Sequence, residues 1–558
     1  MREEGRTKHF RRRFTKLKSE FDTNWKSHFQ DISDYLMPRK GRFLDRDTTP
    51  NDGGKRNSLI YDGTGTRALR ILAAGMQSGL TSPARPWFRL GIPDKDLEEY
   101  PPVRTWLDEV EKRMLFILAR SNFYSAVHSV YGELGAFGTS AMLIEEDFYN
   151  ILRCYPFTIG EYFIATDSAL RADTFYRKFP MTLTNIVNTF GEKNVSEYVL
   201  LESKKNGDKW HSIIHAIEPN TDRNINRSDN QNMPYTSIYF EDAISDDMDK
   251  VLRLSGYNMF PIMAPRWDTT GSEVYGRSPG MEVLPDVMML QKEQEKKLKA
   301  LDKLVDPPMN ATPNMRDKAK TIISGGVTYV DNQQQGGSGF SPTYQIKPDF
   351  NAIRADIEDV RTAIKEGFYN DLFLMLALGG DKTMTAREVA ERHEEKLLSV
   401  GPVVERLQPE LLDRTIDRSF TVMMENRLLP EPPPELDRMP MEVEYIGLLA
   451  QAQKMVGMTS VEQVSTFAGN LSAVWPEARH KVDPLQAVDE FAKMAGAPAK
   501  MIVPDEDVIA KMEAENKAMQ QKQQAEQMAV AAQGAKTLSE ADLDKNNVLK
   551  ALTGGVAA

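Results

Sequence analysis

The sequence predicts an α+β chain that is mainly helical, and three observations carry that expectation. Apolar residues recur at helical spacing through the N-terminal segment and again across 102–137. Between about 141 and 265 the texture turns to short β-branched and alternating stretches. Further on, two helices of similar length flank an insert of about 40 residues, the pattern of a helical hairpin with a module at its tip.

Taken in order, the first element is an amphipathic helix. Phe14, Leu17, Phe21, Trp25, Phe29, Ile32 and Leu36 form one stripe, which Pro38 stops. A loop-like stretch covers 39–58, and TGTRALRILAAGMQSGL at 64–80 reads as the next helix. TSPARPWFRL follows, its two prolines forcing an extended path. In the β-rich region, EYVLLES, KWHSIIHAI, TSIYF and FPIMAPRW read as strands of an antiparallel sheet. A long helix is expected from roughly Pro285 to Val305, ended by DPP at 306–308. TIISGGVTYV suggests strands in the insert, and Ile353, Ile357, Val360, Ile364 and Phe368 stripe the returning helix. Thr385 and Glu388 make a capping box for a segment reaching about Leu429, with bends at Gly401-Pro402 and Pro409. LPEPPPELDRMP at 429–440 is a stiff linker. A strand-like EVEYI and several helices follow, one starting at Thr459 with Glu462, another at Asp483 with Pro484 in its first turn. The last helix, about 504–535, has only a weak apolar stripe of Ile509, Met512 and Met519, and the tail GGVAA is expected to be disordered.

Bulk properties narrow the function. At 558 residues the chain should hold several domains. Acids outnumber bases, 81 to 70, for a net charge of −11. That balance argues against a free-standing DNA binder driven by overall charge. One cysteine, Cys154, leaves no intrachain disulfide or thiolate zinc site and points to a reducing compartment. The longest apolar run, LFLMLAL at 372–378, falls far short of the about 20 residues a membrane span needs. MREEGRTKHFRRR lacks the apolar segment of a secretory signal.

Catalytic motifs fail one by one. GGDKT lacks phosphate-loop spacing, because Asp381 separates the glycines from Lys382. RHEEK at 392–396 begins like a zincin helix, but Leu397 stands where the second His ligand belongs. His211 and His215 lie four apart without an evident third ligand, and DAISDDMDK at 242–250 lacks the central Gly and final Glu of a calcium loop. No catalytic residue, metal site or cofactor is therefore expected.

One feature does point to a partner. Lys292, Lys296, Lys299 and Lys303 are spaced 4, 3 and 4, which stacks them on one helical face within about 60° of arc. Leu290, Leu301 and Val305 point the other way, with Leu298 and Leu304 flanking them. Either this cationic front meets a polyanion, or it is a solvated face held by Glu293–Lys297 and Glu295–Lys299 pairs or a neighbouring subunit's acids.

VYGRSPGMEVLPDVMMLQ at 274–291, FPIMAPRW just before it, GLTSPARPWFRL at 79–90 and EYIGLLAQAQK at 444–454 occur in that family's order and together resemble the portal, or head-to-tail connector, proteins of short-tailed bacteriophages. The resemblance covers about residues 12–500. It implies a ring subunit, commonly one of twelve, with a two-helix stem, a small α/β clip, a mixed β/helical wing and a helical crown. Laid on this chain, the wing is 1–280, the stem 281–305 and 349–372, and the clip 306–348. A loop at 373–385 would project into the tunnel, including Leu376, Leu378, Gly379, Gly380, Asp381, Lys382 and Thr383. The long wing helix and linker are 386–440, the crown 441–500, and 501–558 a C-terminal helix and tail. The implied role is a non-enzymatic conduit for double-stranded DNA in packaging and ejection, with large terminase, tail adaptors, and capsid and scaffolding proteins as partners and no membrane. The four stem lysines and Lys382 are the candidate DNA contacts. A nucleotide-driven motor and a non-threading adaptor are the rival readings, and the missing phosphate loop weighs against the motor.

Overall fold

The structure is a computed structural model. It describes residues 3–44, 56–94, 100–227, 229–242, 251–305, 309–311, 340–342, 349–378, 400–436, 439–447, 464–471, 483–488 and 505–539, with a few single positions between them. The chain divides into two units, Met1–Gln453 and Lys454–Ala558.

The first unit opens with the expected stripe, broken once. Helix α1 (Glu3–Asn24) and helix α2 (Lys26–Tyr35) meet at Trp25. Phe10, Phe14, Leu17, Phe21, Phe29, Ile32 and Leu36 are all buried. Helix α3 (Thr64–Leu80) leads to the short strand β1 (Phe88–Gly91). The helical stretch after it is two helices, α4 (Pro101–Arg120) and α5 (Phe123–Phe137), the second ending at Gly138 with φ of +72°. Such left-handed glycine ends are ordinary helix stops.

The β-rich region is antiparallel throughout, as expected. Strands β2 (Ala141–Asp147) and β3 (Ile151–Phe157) form a hairpin, later joined by β9 (Ile262–Met263). A five-stranded sheet runs β4 (Tyr162–Thr166), β5 (Ala172–Thr182), β6 (Trp210–Pro219), β7 (Tyr235–Glu241) and β8 (Val251–Tyr257) in simple order. Helices α6 (Leu183–Phe190) and α7 (Glu197–Lys205) interrupt the strands between β5 and β6. They correct the expectation of a strand at EYVLLES. Ser196 caps the segment, its Oγ accepting the Val199 N–H, and only Val199 packs fully inward. A helix needs only that one stripe, which leaves Tyr198 and Leu201 exposed. Inside α5, Glu133 is buried. It accepts the Ile159 N–H at 3.2 Å and meets Lys40 Nζ at 3.3 Å. Burial pushes its carboxyl up to about 7, against the pull of Lys40.

Helix α8 (Pro279–Val305) begins before the expected Pro285, which lies inside it. At 1.5 Å per residue it is roughly 40 Å long. Of the insert, β10 (Met309–Ala311) and β11 (Phe340–Pro342) are described and pair antiparallel. TIISGGVTYV lies outside the described residues. Helix α9 (Phe350–Gly367) returns, capped by Asp349, which accepts the N–H groups of Asn351 and Ala352. Its expected stripe is inward, with Ile357, Val360, Ile364 and Phe368 buried and Ile353 packed beside them. The returning helix stops short of 372, because Tyr369 adopts φ of +55° and starts a new helix, α10 (Asn370–Leu378).

Residues 400–407 are helical through Gly401-Pro402. A π-helical turn at Gln408–Leu412 realises the expected irregularity at Pro409. It continues into α11 (Asp413–Glu425). Strand β12 (Glu442–Tyr445) pairs with β1, so residues 441–447 belong with the first unit rather than with a separate module.

In the second unit, residues 464–471 and 484–488 are helical. Asp483 starts the latter as expected, accepting the Leu485 N–H at 2.9 Å. Helix α12 (Asp505–Ser539) exposes Ile509, Met512 and Met519. The Thr459–Glu462 and Thr385–Glu388 capping boxes lie outside the described residues.

Candidate functional site

The hairpin of α8 and α9 carries the cationic face, so its geometry is decided where it is rooted. The root is built by the motifs themselves. Gly276 lies against Gly138, and a Cβ on Gly276 would sit 2.3 Å from the Gly138 carbonyl oxygen. Backbone on both sides leaves nothing to yield. The Gly276 N–H donates to Thr139 Oγ1 at 2.7 Å. Ser278 Oγ donates to the Ala136 carbonyl at 2.7 Å and accepts the Met281 N–H at 3.1 Å, capping α8. Arg266, from FPIMAPRW, is buried. Its backbone N–H and its Nε donate to the Glu410 carboxylate at 2.8 and 3.1 Å, and its guanidinium reaches the Leu170 carbonyl at 2.7 Å. The π-turn is what carries Glu410.

The other two motifs pair with each other. Strands β1 and β12 set Phe88 opposite Tyr445, and Trp87 stacks on Tyr445 with 9° between ring planes. The described parts of all four segments therefore act as anchors.

A second root is polar and was not foreseen. Asp62, just before α3, is buried and accepts Arg361 of α9 at 2.7 and 3.0 Å. It also accepts the Thr64 hydroxyl at 2.6 Å and the Thr64 N–H at 2.9 Å. Gln291 of α8 accepts the Tyr61 and Asp62 N–H groups and donates to the Asp62 carbonyl. Burial works to raise the Asp62 carboxyl, but the bonds from Thr64 and Arg361 outweigh it and hold it below its usual range. One loop thus fixes both helices of the hairpin. The partners are about 230 and 300 residues from Asp62 in sequence, so local pattern gives no sign of them.

Beyond Gln291 burial thins out, Gln294 making the last contact with Asp62, at 3.3 Å. Lys292, Lys296, Lys299 and Lys303 are all exposed, on one face, as their spacing implies. Lys299 pairs with Glu295 at 2.5 Å, which holds the exposed Glu295 carboxyl below its ordinary value. Glu293 does not serve as the expected partner of Lys297. It lies near Asp356 of α9, and burial together with that like charge raises its carboxyl. The expected apolar back is only half covered. Leu290 is buried, but Leu298, Leu304 and Val305 are exposed, Val305 at 82%.

The expected tunnel loop is corrected at its start. Leu376 and Leu378 lie inside helix α10, because NDLFLMLAL is rich in the strong helix formers Leu, Met and Ala and Phe373 seats it in the core. Gly379, Gly380, Asp381, Lys382 and Thr383 lie outside the described residues, as do 392–396. His215 is a core residue. Its Nε2 is 3.0 Å from Ser237 Oγ, its ring stacks on Tyr239, and burial depresses its pKa. Among the described residues no group of three or more metal-ligating side chains occurs, and no helix is long and apolar enough to cross a membrane.

Comparison with known proteins gives one consistent result. A family described as bacteriophage head to tail connecting protein matches residues 7–503. The portal protein of Salmonella phage epsilon15 is 42% identical over 550 residues, 98% of each chain. A probable portal protein of Bordetella phage BPP-1 is 43% identical over 550 residues, 97% of each. A solved chain from the neck of an empty GTA particle covers 75% of this chain and 91% of its own at 10% identity, with a TM-score of 0.35, and bears no weight here.

Proposed function

The chain belongs to the bacteriophage head-to-tail connecting, or portal, proteins, and on that premise we propose that copies of it close into a ring, of twelve subunits, through which double-stranded DNA passes. Phage portal proteins sit at the portal vertex of the virion capsid and are structural components. The finer reading is that α8 and α9 wall the channel. The single observation that supports it is the rooted hairpin. Asp62, Arg361 and Gln291 pin its base while four exposed lysines line the length beyond it.

The charge economy suits a conduit. Each phosphate neutralised by a lysine releases counterions and tightens binding. A strongly basic wall would hold a moving duplex, whereas sparse Lys rings on an acidic chain keep DNA near without gripping it. We assign the clip, 306–348, to docking of the large terminase during filling and of tail adaptors afterwards, and Lys382 with its neighbours to a DNA-contacting loop. Capsid and scaffolding proteins complete the partners, with assembly in the host cytoplasm. ATP hydrolysis falls to the terminase.

Negative-stain microscopy of the purified chain tests the reading. Rings with a central hole wide enough for a duplex support it. A chain that stays monomeric at every concentration, or closes into particles without a pore, overturns it.

A further inference from the structure

Helix α1 is basic on an acidic chain. From 5 to 19, GRTKHFRRRFTKLKS carries seven Lys and Arg and no Asp or Glu, against −11 for the whole sequence. The fold sorts these cations into two groups. On the inner side, Phe10, Phe14 and Leu17 are buried, with Phe14 packed edge-on to Phe163 of β4. Flanking that side, Arg11 donates to the Glu241 carbonyl at 2.8 Å and lies over the Phe240 ring, and Lys18 pairs with Asp22. Arg11 holds the helix on the sheet, and Lys18 is paired within that helix. Lys8, Arg12 and Lys16 do not point that way. All three are exposed, at i, i+4 and i+8, and so form one ridge about 12 Å long. Lys16 comes within 3.8 Å of Glu20, but both are well exposed, so that pair holds it weakly.

We propose that the ridge of Lys8, Arg12 and Lys16 is a second nucleic-acid surface, separate from the stem lysines, which contacts the phosphate backbone of duplex DNA without reading sequence. This rests on the chain handling DNA, as argued above. The choice of DNA over an acidic protein follows from what the ridge lacks. Protein interfaces centre on buried aromatic or aliphatic anchors, and the large apolar residues of α1 face inward. A polyanion needs only evenly spaced charge on a rigid support. Along about 12 Å of axis a duplex presents roughly seven phosphates, more than enough for three cations at once.

The test is binding of the full-length purified chain to a labelled random-sequence duplex, followed by fluorescence polarisation between 50 and 200 mM salt. Four proteins are compared: wild type, the triple variant Lys8→Gln, Arg12→Gln and Lys16→Gln, the charge-keeping triple Lys8→Arg, Arg12→Lys and Lys16→Arg, and a stem variant with all four lysines changed to Gln. The neutral triple should weaken binding equally for duplexes of different sequence. Its salt dependence should flatten by about 2–3 units of slope. The charge-keeping triple should match wild type. If the neutral triple binds with wild-type affinity and slope, the proposal is overturned. The same holds if both triples lose binding equally, which marks a shape-specific contact. Wild-type DNA binding with failed incorporation into capsids points instead to a protein partner. Should the triple not fold, Arg12→Gln alone is read for a slope change of about one unit. The stem variant keeps the two ideas apart, because its behaviour tests the channel and the triple tests the ridge.

Discussion

The two halves of helix α8 obey different rules. Up to Gln291 nearly every turn is committed: Gly280, Val283, Leu284, Val287, Leu290 and Gln291 are buried, and Ser278 caps the start. From Lys292 onward the same helix has no fully buried residue: Gln294 still touches Asp62 at 3.3 Å, but Leu298 and Leu304 meet solvent. The difference teaches that the near half is chosen for fit and the far half for charge. The start of the helix is fixed by backbone contacts such as Gly276 on Gly138, which leave no room for a Cβ. Substitutions in the two halves should therefore fail in different ways.

The largest effect belongs to the anchored side. Glu410→Ala leaves Arg266 buried without its carboxylate and should cost about 3–5 kcal/mol, read as a fall in unfolding midpoint in urea. A variant as stable as wild type would show that the π-turn is not an anchor.

Glu133 sharpens the contrast through pH. Its folded value of about 7 exceeds the ordinary 4.5, so the folded chain holds the proton more tightly. Stability from this group is full below about 4.5 and is lost as pH rises towards 7. Glu111, also raised to about 7 mainly by burial, acts in the same sense. Glu133→Gln should flatten part of that slope and stabilise the chain at pH 8 by up to about 3 kcal/mol. A slope unchanged by the substitution would refute the assignment.

Asp62→Ala comes next, at about 2 kcal/mol, discounted because Arg361 is about a third exposed. Its more telling readout is amide exchange, which should quicken in α8 beyond Gln291 and in the first turns of α9 while the sheet stays protected. Uniform loss of protection would deny that Asp62 acts on the hairpin. The smallest effect on stability is expected for the four exposed lysines of α8. Changing Lys292, Lys296, Lys299 and Lys303 to Gln should leave the thermal midpoint and ring assembly unmoved and alter DNA packaging or retention. Failed assembly would mean that they join subunits.

Much of the fold was legible because apolar spacing is local. The α1–α2 stripe, α3, the α9 stripe and the antiparallel sheet all rest on residues within a few positions of one another. EYVLLES misled because a short run of apolar and β-branched residues suits either period, and Ser196 decided it. The lysine face of α8 was legible for the same reason as the stripes, since i, i+3 and i+4 spacing fixes a face without any tertiary knowledge. What escaped were the long-range polar roots. Neither Asp62 with Arg361 nor Arg266 with Glu410 leaves a periodic trace.

The β1–β12 clasp also sets a clock on synthesis. Its two strands are separated by roughly 350 residues. At ribosomal speeds of about 5–20 residues per second, β1 waits roughly 20–70 s for its mate. For that interval Trp87 and Phe88 emerge with an open strand edge and no aromatic partner from the far side, which is the period when a nascent chain sticks to its neighbours. Yield in a heterologous host should thus depend on how fast the intervening codons are read and on whether a holding chaperone reaches residue 88 first.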